Sequence, residues 1–207
     1  MTPHTDIAAI RLLGGHPALD FINTVDAWRD RWGPDFLVRY EDLVAWAERV
    51  DLVGAGLAAV LRTKAANAPA EAEAALMRAR ALRQSLHALF LSEAEAAPLN
   101  SDDAKQLNAI LRQAGEHREL RQEAGSFHWA WRDEADLDAV LYRVAFEAAD
   151  LLAARASRRD IRECHGVNCG WLFLDTSRSG RRLWCSEETC GTAMRVRRFR
   201  QKDRPEA

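Results

Sequence analysis

The four cysteines of the chain, Cys164, Cys169, Cys185 and Cys190, all fall in its last quarter. Their spacing is Cys-x4-Cys-x15-Cys-x4-Cys, and each pair is followed by a glycine, Gly170 and Gly191, so one Cys-x4-Cys-Gly unit occurs twice. Two thiolates five residues apart grip one ion only if the chain between them turns sharply. Glycine just past the second ligand tolerates that turn. Four soft ligands with no evident open position favour a structural, tetrahedral Zn2+ with sulfur at ~2.3 Å. Buried free cysteines, an iron–sulfur cluster and a reversible disulfide switch are the alternatives. His165 lies in the first loop and is a candidate substitute ligand, read here as an exposed loop side chain.

Positioning these ligands requires the two pairs to be brought together. Trp171-Leu-Phe-Leu and Arg182-Leu-Trp read as short strands joined through the turn-rich stretch 175–180, which predicts a hairpin between the knuckles. Residues 192–202 then read as a helix, with Ala193, Val196 and Phe199 on a face that would pack on the hairpin. Arg195, Arg197, Arg198, Arg200 and Lys202 occupy the rest of that helix. Together with Arg178, Arg181 and Arg182 they form a candidate nucleic-acid surface.

The preceding body reads as mainly α. Helices are expected from Pro17 to about Trp28, from Tyr40 to Val50, from Gly56 to Ala66, and from Pro69 until Pro98 ends a long one. In the long helix Leu76, Ala79, Leu82, Leu86, Leu89 and Phe90 follow the spacing of a core-facing stripe. Ser101 is a candidate N-cap for a further helix ended by Gly115. The runs 118–122 and 127–131 around Ala124-Gly125 suggest a β-hairpin. A last core helix is read from about Glu134 to Ala156. The expected organisation is a helical domain with a small β-hairpin over 1–156, then a four-cysteine zinc finger (β-hairpin plus C-terminal helix) over 157–207. Asp20 and Asn23 are candidate ligand-binding residues, with helix-end hydrogen bonding as the plainer reading, and Trp28, Trp32 and Trp46 are candidates for an aromatic pocket or for ordinary packing.

Net charge is −2 over 207 residues, but from Arg155 onward the chain carries 13 Lys and Arg against 7 Asp and Glu. The first 154 residues carry 16 against 24, so an acidic body bears a basic tail, a pattern expected of a protein that meets a polyanion. No apolar run reaches the ~18 residues of a membrane span and no secretory signal is apparent, so the expected location is the cytoplasm, where clustered thiols stay reduced. No metalloprotease, deaminase, P-loop or nucleophile-elbow signature occurs, and four thiolates leave zinc no water to activate. Catalysis is therefore not expected.

The run from Cys164 through Cys169-Gly-Trp-Leu-Phe-Leu-Asp-Thr-Ser-Arg-Ser-Gly-Arg-Arg182, then Trp184-Cys185, Cys190-Gly191 and Arg195-Val-Arg-Arg-Phe-Arg200, resembles the CGNR zinc-finger family of bacterial proteins. In that family the finger follows an ABATE domain, and Gly14-Gly-His-Pro-Ala-Leu-Asp-Phe-Ile-Asn-Thr24 is similar to that domain's opening signature. The resemblance implies a transcription regulator, in some cases stress-induced, that binds DNA through the finger and uses the N-terminal domain as a sensor of a small-molecule ligand or other signal. A homodimer on paired half-sites is compatible with it. One departure stands out. The family's Asn and Arg are replaced by Thr192 and Ala193, so any contact made by that Arg is lost. The alternative function is a zinc-stabilised protein-interaction or RNA-binding module, with oxidation of the cysteines as a redox switch.

Overall fold

The computed structural model describes residues 6–29, 32–132 and 135–202, with Lys202 described in its backbone alone. Its organising element is the helix α4 (Pro69–Ala94). Pro69 stands at the first helical position, where a missing N–H costs nothing, and the expected stripe from Leu76 to Phe90 is buried throughout. Around α4 pack α1 (Pro17–Ile22), α2 (Tyr40–Arg49), α3 (Ala55–Asn67), α5 (Ser101–Gly115) and α6 (Ala139–Ala153). Asn100 rather than Ser101 caps α5, its side chain accepting from the Asp102 N–H. The start expected for the last helix, Glu134, lies outside the described residues; the helix itself begins at Ala139.

Between α5 and α6 the antiparallel strands β1 (Arg118–Glu123) and β2 (Ser126–Trp131) form the expected hairpin, with Leu120 opposite Trp129 and Gln122 opposite Phe127. Ala124 and Gly125 both take positive φ, 48° and 83°, the geometry of a two-residue type I′ turn.

Helix α1 is shorter than its apolar periodicity suggests. Leu19, Ile22 and Val25 are all fully buried, but the helix stops at Ile22. The Thr24 hydroxyl donates to the Phe21 carbonyl at 2.6 Å, and Val25 leaves the helix to bridge Asp35. The loop so formed lies over α4, where Arg83, 1 % exposed, donates to Thr24 Oγ1 and to Asp35 Oδ1, each at 2.8 Å. A second bond joins Arg83 to Asp35 Oδ2. Both partners of this ion pair are largely withdrawn from water, so losing either would strand a buried charge.

In the cysteine region, β3 (Ile161–Glu163) pairs antiparallel with β4 (Leu172–Leu174). The hairpin therefore encloses the first knuckle, whereas the sequence suggested that 171–174 would pair with 182–184. The reason is local chemistry after β4. Buried Asp175 accepts from the Ser177 N–H at 3.0 Å, the Ser177 hydroxyl at 2.5 Å and the Arg182 N–H at 3.0 Å. Burial alone would raise its pKa, yet these bonds and the Arg162 guanidinium hold the carboxyl below its ordinary value. Arg182 in turn donates to the Trp184 carbonyl at 2.9 Å and to the Cys185 carbonyl, and its guanidinium lies 4.3 Å from the Phe173 ring centroid. The Arg182 N–H and the Trp184 carbonyl are thus taken by side chains, and the Leu183 carbonyl accepts from the His165 N–H at 2.9 Å.

A five-residue π turn (Glu187–Gly191) leads into α7 (Thr192–Lys202). The face carrying Ala193, Val196 and Phe199 is not packed on the hairpin. Val196 and Phe199 are exposed, the latter at 69 %, and among the described elements α7 packs chiefly against the turn before it. No helix among the described residues is long and apolar enough to cross a membrane.

Candidate metal centre

Each ligand is delivered by a different local device. Cys164 follows β3, and its N–H donates to the Trp171 carbonyl at 2.8 Å, closing the first loop. Asn168 inside that loop adopts φ 63°, and Gly170 just beyond Cys169 adopts φ 70°. Gly166 tolerates no side chain, because a Cβ there would lie 2.7 Å from Cys190 Sγ and 3.3 Å from Cys164 Sγ. The tight glycine of the site is therefore the one between the first two ligands. Gly191, expected to turn the second knuckle, instead lies against Glu187 and Trp184. Cys185 is placed by the Arg182 clamp, and Cys190 by the π turn, which Ser186 caps through the Thr189 N–H.

The four Sγ atoms all lie within 4.8 Å of one another, with Cys169–Cys185 at 3.8 Å and Cys185–Cys190 at 3.6 Å. Tetrahedral zinc with sulfur at ~2.3 Å requires sulfurs about 3.8 Å apart, so the donor set fits that ion in both chemistry and spacing. The Cys185 N–H donates to Cys164 Sγ at 3.2 Å, a bond that favours the thiolate a metal would bind. The Gly166 N–H also donates to this sulfur, at 3.4 Å. Cys164, Cys169 and Cys185 are buried and Cys190 is half-buried. His165 is exposed and stands outside the cluster.

The centre is tied to the helical body by its first half. The side chain of Asn23 acts as a strand edge, its Nδ2 donating to the Leu172 carbonyl at 2.9 Å and its Oδ1 accepting from the Leu172 N–H at 3.0 Å. Trp171 Nε1 donates to the Val25 carbonyl at 2.7 Å, the Trp28 N–H to the Cys169 carbonyl at 2.8 Å, and the Leu174 N–H to the Gly14 carbonyl at 2.9 Å. Arg29 and Glu163 form a two-bond ion pair beside Gly170. Asp20 completes this socket by accepting from the Gly14 N–H at 2.8 Å, and burial raises its pKa to about 6. Asp20 and Asn23, the two candidate ligand residues, are thus buried and engaged with backbone. The three tryptophans stand in three environments. Trp46 is in the core against Phe21, Trp28 is stacked on His87 at 3.9 Å, and Trp32 is exposed.

The candidate cationic residues divide in the same way. Arg182 is spent on the knuckle backbone, and Arg195 pairs with Glu187 at 2.9 Å and with Thr192 Oγ1 at 3.1 Å. Arg178, Arg181, Arg197, Arg198 and Arg200 are exposed, and their side chains have no ion-pair partner among the described residues. The Lys202 side chain lies outside the described residues. Sequence reasoning missed Gly166, Asp175, Arg83 and Arg29. The signal for Arg83 was present, since it falls among Ala79, Leu82, Leu86 and Phe90 on the buried face of α4.

Comparison with known families places residues 15–155 in the ABATE family, described as “Putative stress-induced transcription regulator”, and residues 160–203 in the CGNR zinc finger. No curated protein matches the chain. The matched opening includes Asp20 and Asn23 of the socket, and the matched finger contains all four cysteines. The chain belongs to the ABATE family and carries a CGNR zinc finger in which four cysteines are arranged for one structural zinc.

Proposed function

We propose that the protein is a DNA-binding transcription regulator whose zinc site is structural and whose α7 helix meets the nucleic acid. The observation that carries this reading is the projecting basic helix, in which Arg197, Arg198 and Arg200 are exposed without acidic partners among the described residues. Unpaired guanidinium groups on a rigid helix release counterions from phosphate when they bind. Long neutralised cations would not. Arg178 and Arg181 add charge from the loop after β4, and Arg182 supports the knuckle instead. With Thr192 donating to the Glu187 carbonyl at 3.1 Å and Ala193 apolar, sequence reading falls to the arginines further along α7. The centre is non-catalytic in this reading, because four thiolates complete the ion's tetrahedron.

The helical body would act as the sensor. In support, a cleft of ≈ 500 Å3 opens between the N-terminal segment and the knuckles, lined in part by Ile10, Leu13, Phe36, Val167, Trp171 and Cys185. A molecule seated there would touch both halves of the chain. Arg11 spans the same junction, donating to Ser186 Oγ and Glu188 at 3.3 Å each.

Selection of random duplex DNA on the zinc-loaded chain, with and without a chelator, tests the function. Recovery of one sequence by the zinc-loaded protein alone is the expected result. A second reading, docking of α7 on an acidic protein, is favoured by the exposed Val196 and Phe199. Recovery of no sequence, and binding without salt dependence, would move that reading into first place.

A further inference from the structure

The β1–β2 hairpin leaves three large apolar side chains in water: Leu120 at 57 %, Phe127 at 69 % and Trp129 at 59 % exposure. The register puts all three on one face. The base of that face is held to the body, where Trp131 meets Phe146 edge-on at 5.5 Å and the Arg118 guanidinium lies 4.3 Å from the Phe146 ring centroid. The same guanidinium lies 5.3 Å from the Trp129 ring centroid, and both outer edges of this two-stranded sheet are unpaired among the described residues. A lone hairpin with an apolar face and open edges is marginal in water, and such an edge is a template for pairing.

The edge also encodes its own complement. With a two-residue turn at Ala124-Gly125, Glu119, Arg121 and Glu123 exchange hydrogen bonds with β2, and the Arg132 N–H donating to the His117 carbonyl at 2.9 Å continues that alternation. Arg118, Leu120 and Gln122 therefore aim their N–H and C=O groups outward.

We infer that β1 pairs antiparallel with β1 of a second copy of this chain, about a two-fold axis through Leu120, to make a four-stranded sheet. In that register Arg118 and Leu120 form hydrogen-bonded pairs with the partner's Gln122 and the partner's Leu120. Glu119 stands directly across from the partner's Arg121, and Arg121 across from the partner's Glu119, both at closely spaced positions that favour opposite charges. Within one chain the same two residues already pair at 2.8 Å, so dimerisation exchanges this ion pair between copies. The apolar faces join into one row running Trp129, Leu120, the partner's Leu120, the partner's Trp129. The β2 edge offers no such charge match: with Trp129 on the axis, His128 would face the partner's Ala130. This inference stands independently of the DNA reading.

Sedimentation equilibrium of the zinc-loaded full chain, from micromolar to millimolar, tests it. The expected result is a monomer–dimer equilibrium. Leu120→Pro should leave the protein monomeric at every concentration while its thermal unfolding stays close to that of the parent, because the lost N–H points away from β2. Glu119→Arg and Arg121→Glu should each weaken the dimer by roughly tenfold or more by placing like charges across the axis, and the double variant should restore it. A monomer throughout, a Leu120→Pro protein that dimerises like the parent, or a double variant as weak as the singles would each overturn the proposal.

Discussion

The two halves of the zinc finger are held in opposite ways. The first knuckle and the β3–β4 hairpin are bonded to the body through Asn23, Val25, Trp28, Arg29 and Gly14, almost all of it out of water. The second knuckle packs Cys185 into the core, but its hydrogen bonds to the body come from Arg11, and at 3.3 Å they are long and partly solvated. Buried hydrogen bonds strand unsatisfied groups when broken, whereas exposed ion pairs contribute little. The four cysteines span these unequal halves, so one end of the finger is an extension of the core and the other projects from it.

The largest test of this difference is removal of the ion. Cys164→Ser should abolish stoichiometric zinc and lower the thermal stability of the whole chain, because the first knuckle shares the body's core; Cys190→Ser should lower it less. Zinc content and calorimetry measure both, and equal losses would break the asymmetry. Asn23→Ala should come next, at roughly 2–4 kcal/mol, since it leaves the buried N–H and C=O of Leu172 unpaired. Denaturant unfolding reads this directly, and a loss confined to α7 signals would contradict it.

A smaller effect comes from titration at the anchored half. Burial pulls His87, stacked on Trp28, down to about 4, despite a bond to the Gly170 carbonyl that favours its charged form. Its pKa when folded lies below the ordinary 6.5, so the unfolded chain takes up the proton first. That contribution to stability is present above pH 6.5 and is lost as pH falls towards 4. Asp20, raised from 3.8 to about 6, acts in the opposite sense, and its contribution is lost as pH rises through that window. Asp20→Asn should therefore make stability climb more steeply with pH between 4 and 6 than in the parent, as urea midpoints would reveal. Parallel curves would exclude this role.

The smallest effect on stability belongs to the free half. Arg197→Ala with Arg198→Ala should leave the unfolding midpoint almost unchanged yet lower the slope of log K against log salt on duplex DNA by about 1.8. Unchanged DNA binding would remove α7 from the interface.

Local pattern alone was enough to read the long stripe of α4, the β-hairpin around Ala124-Gly125 and the set of four cysteines. A helical stripe recurs within a few residues, a two-residue turn needs positive φ at adjacent positions, and thiolate chemistry depends on residue type. The misread elements share a different cause. Residues 182–184 carry strand-like side chains, but Asp175 and Arg182 take part of their backbone, and Asn23 and Gly14 occupy the β4 edge they would have joined. Helix α1 keeps its apolar period to Val25, but the chain leaves helical geometry where Thr24 and Asn23 find other partners.

By itself, then, the sequence determined which side chains make up the four-thiol cluster, which face of α4 is buried and where the basic charge lies, because each depends on identity or on short-range spacing. The tertiary structure alone decided that the opening Gly14–Thr24 segment is a socket for the finger, that the Asn23 side chain bonds Leu172 rather than its own helix end, and that α7 projects unpacked. Asn23 and Leu172 are 149 residues apart. Nothing in the local periodicity of either segment specifies a hydrogen-bond partner at that distance, and only the packed core brings the two together.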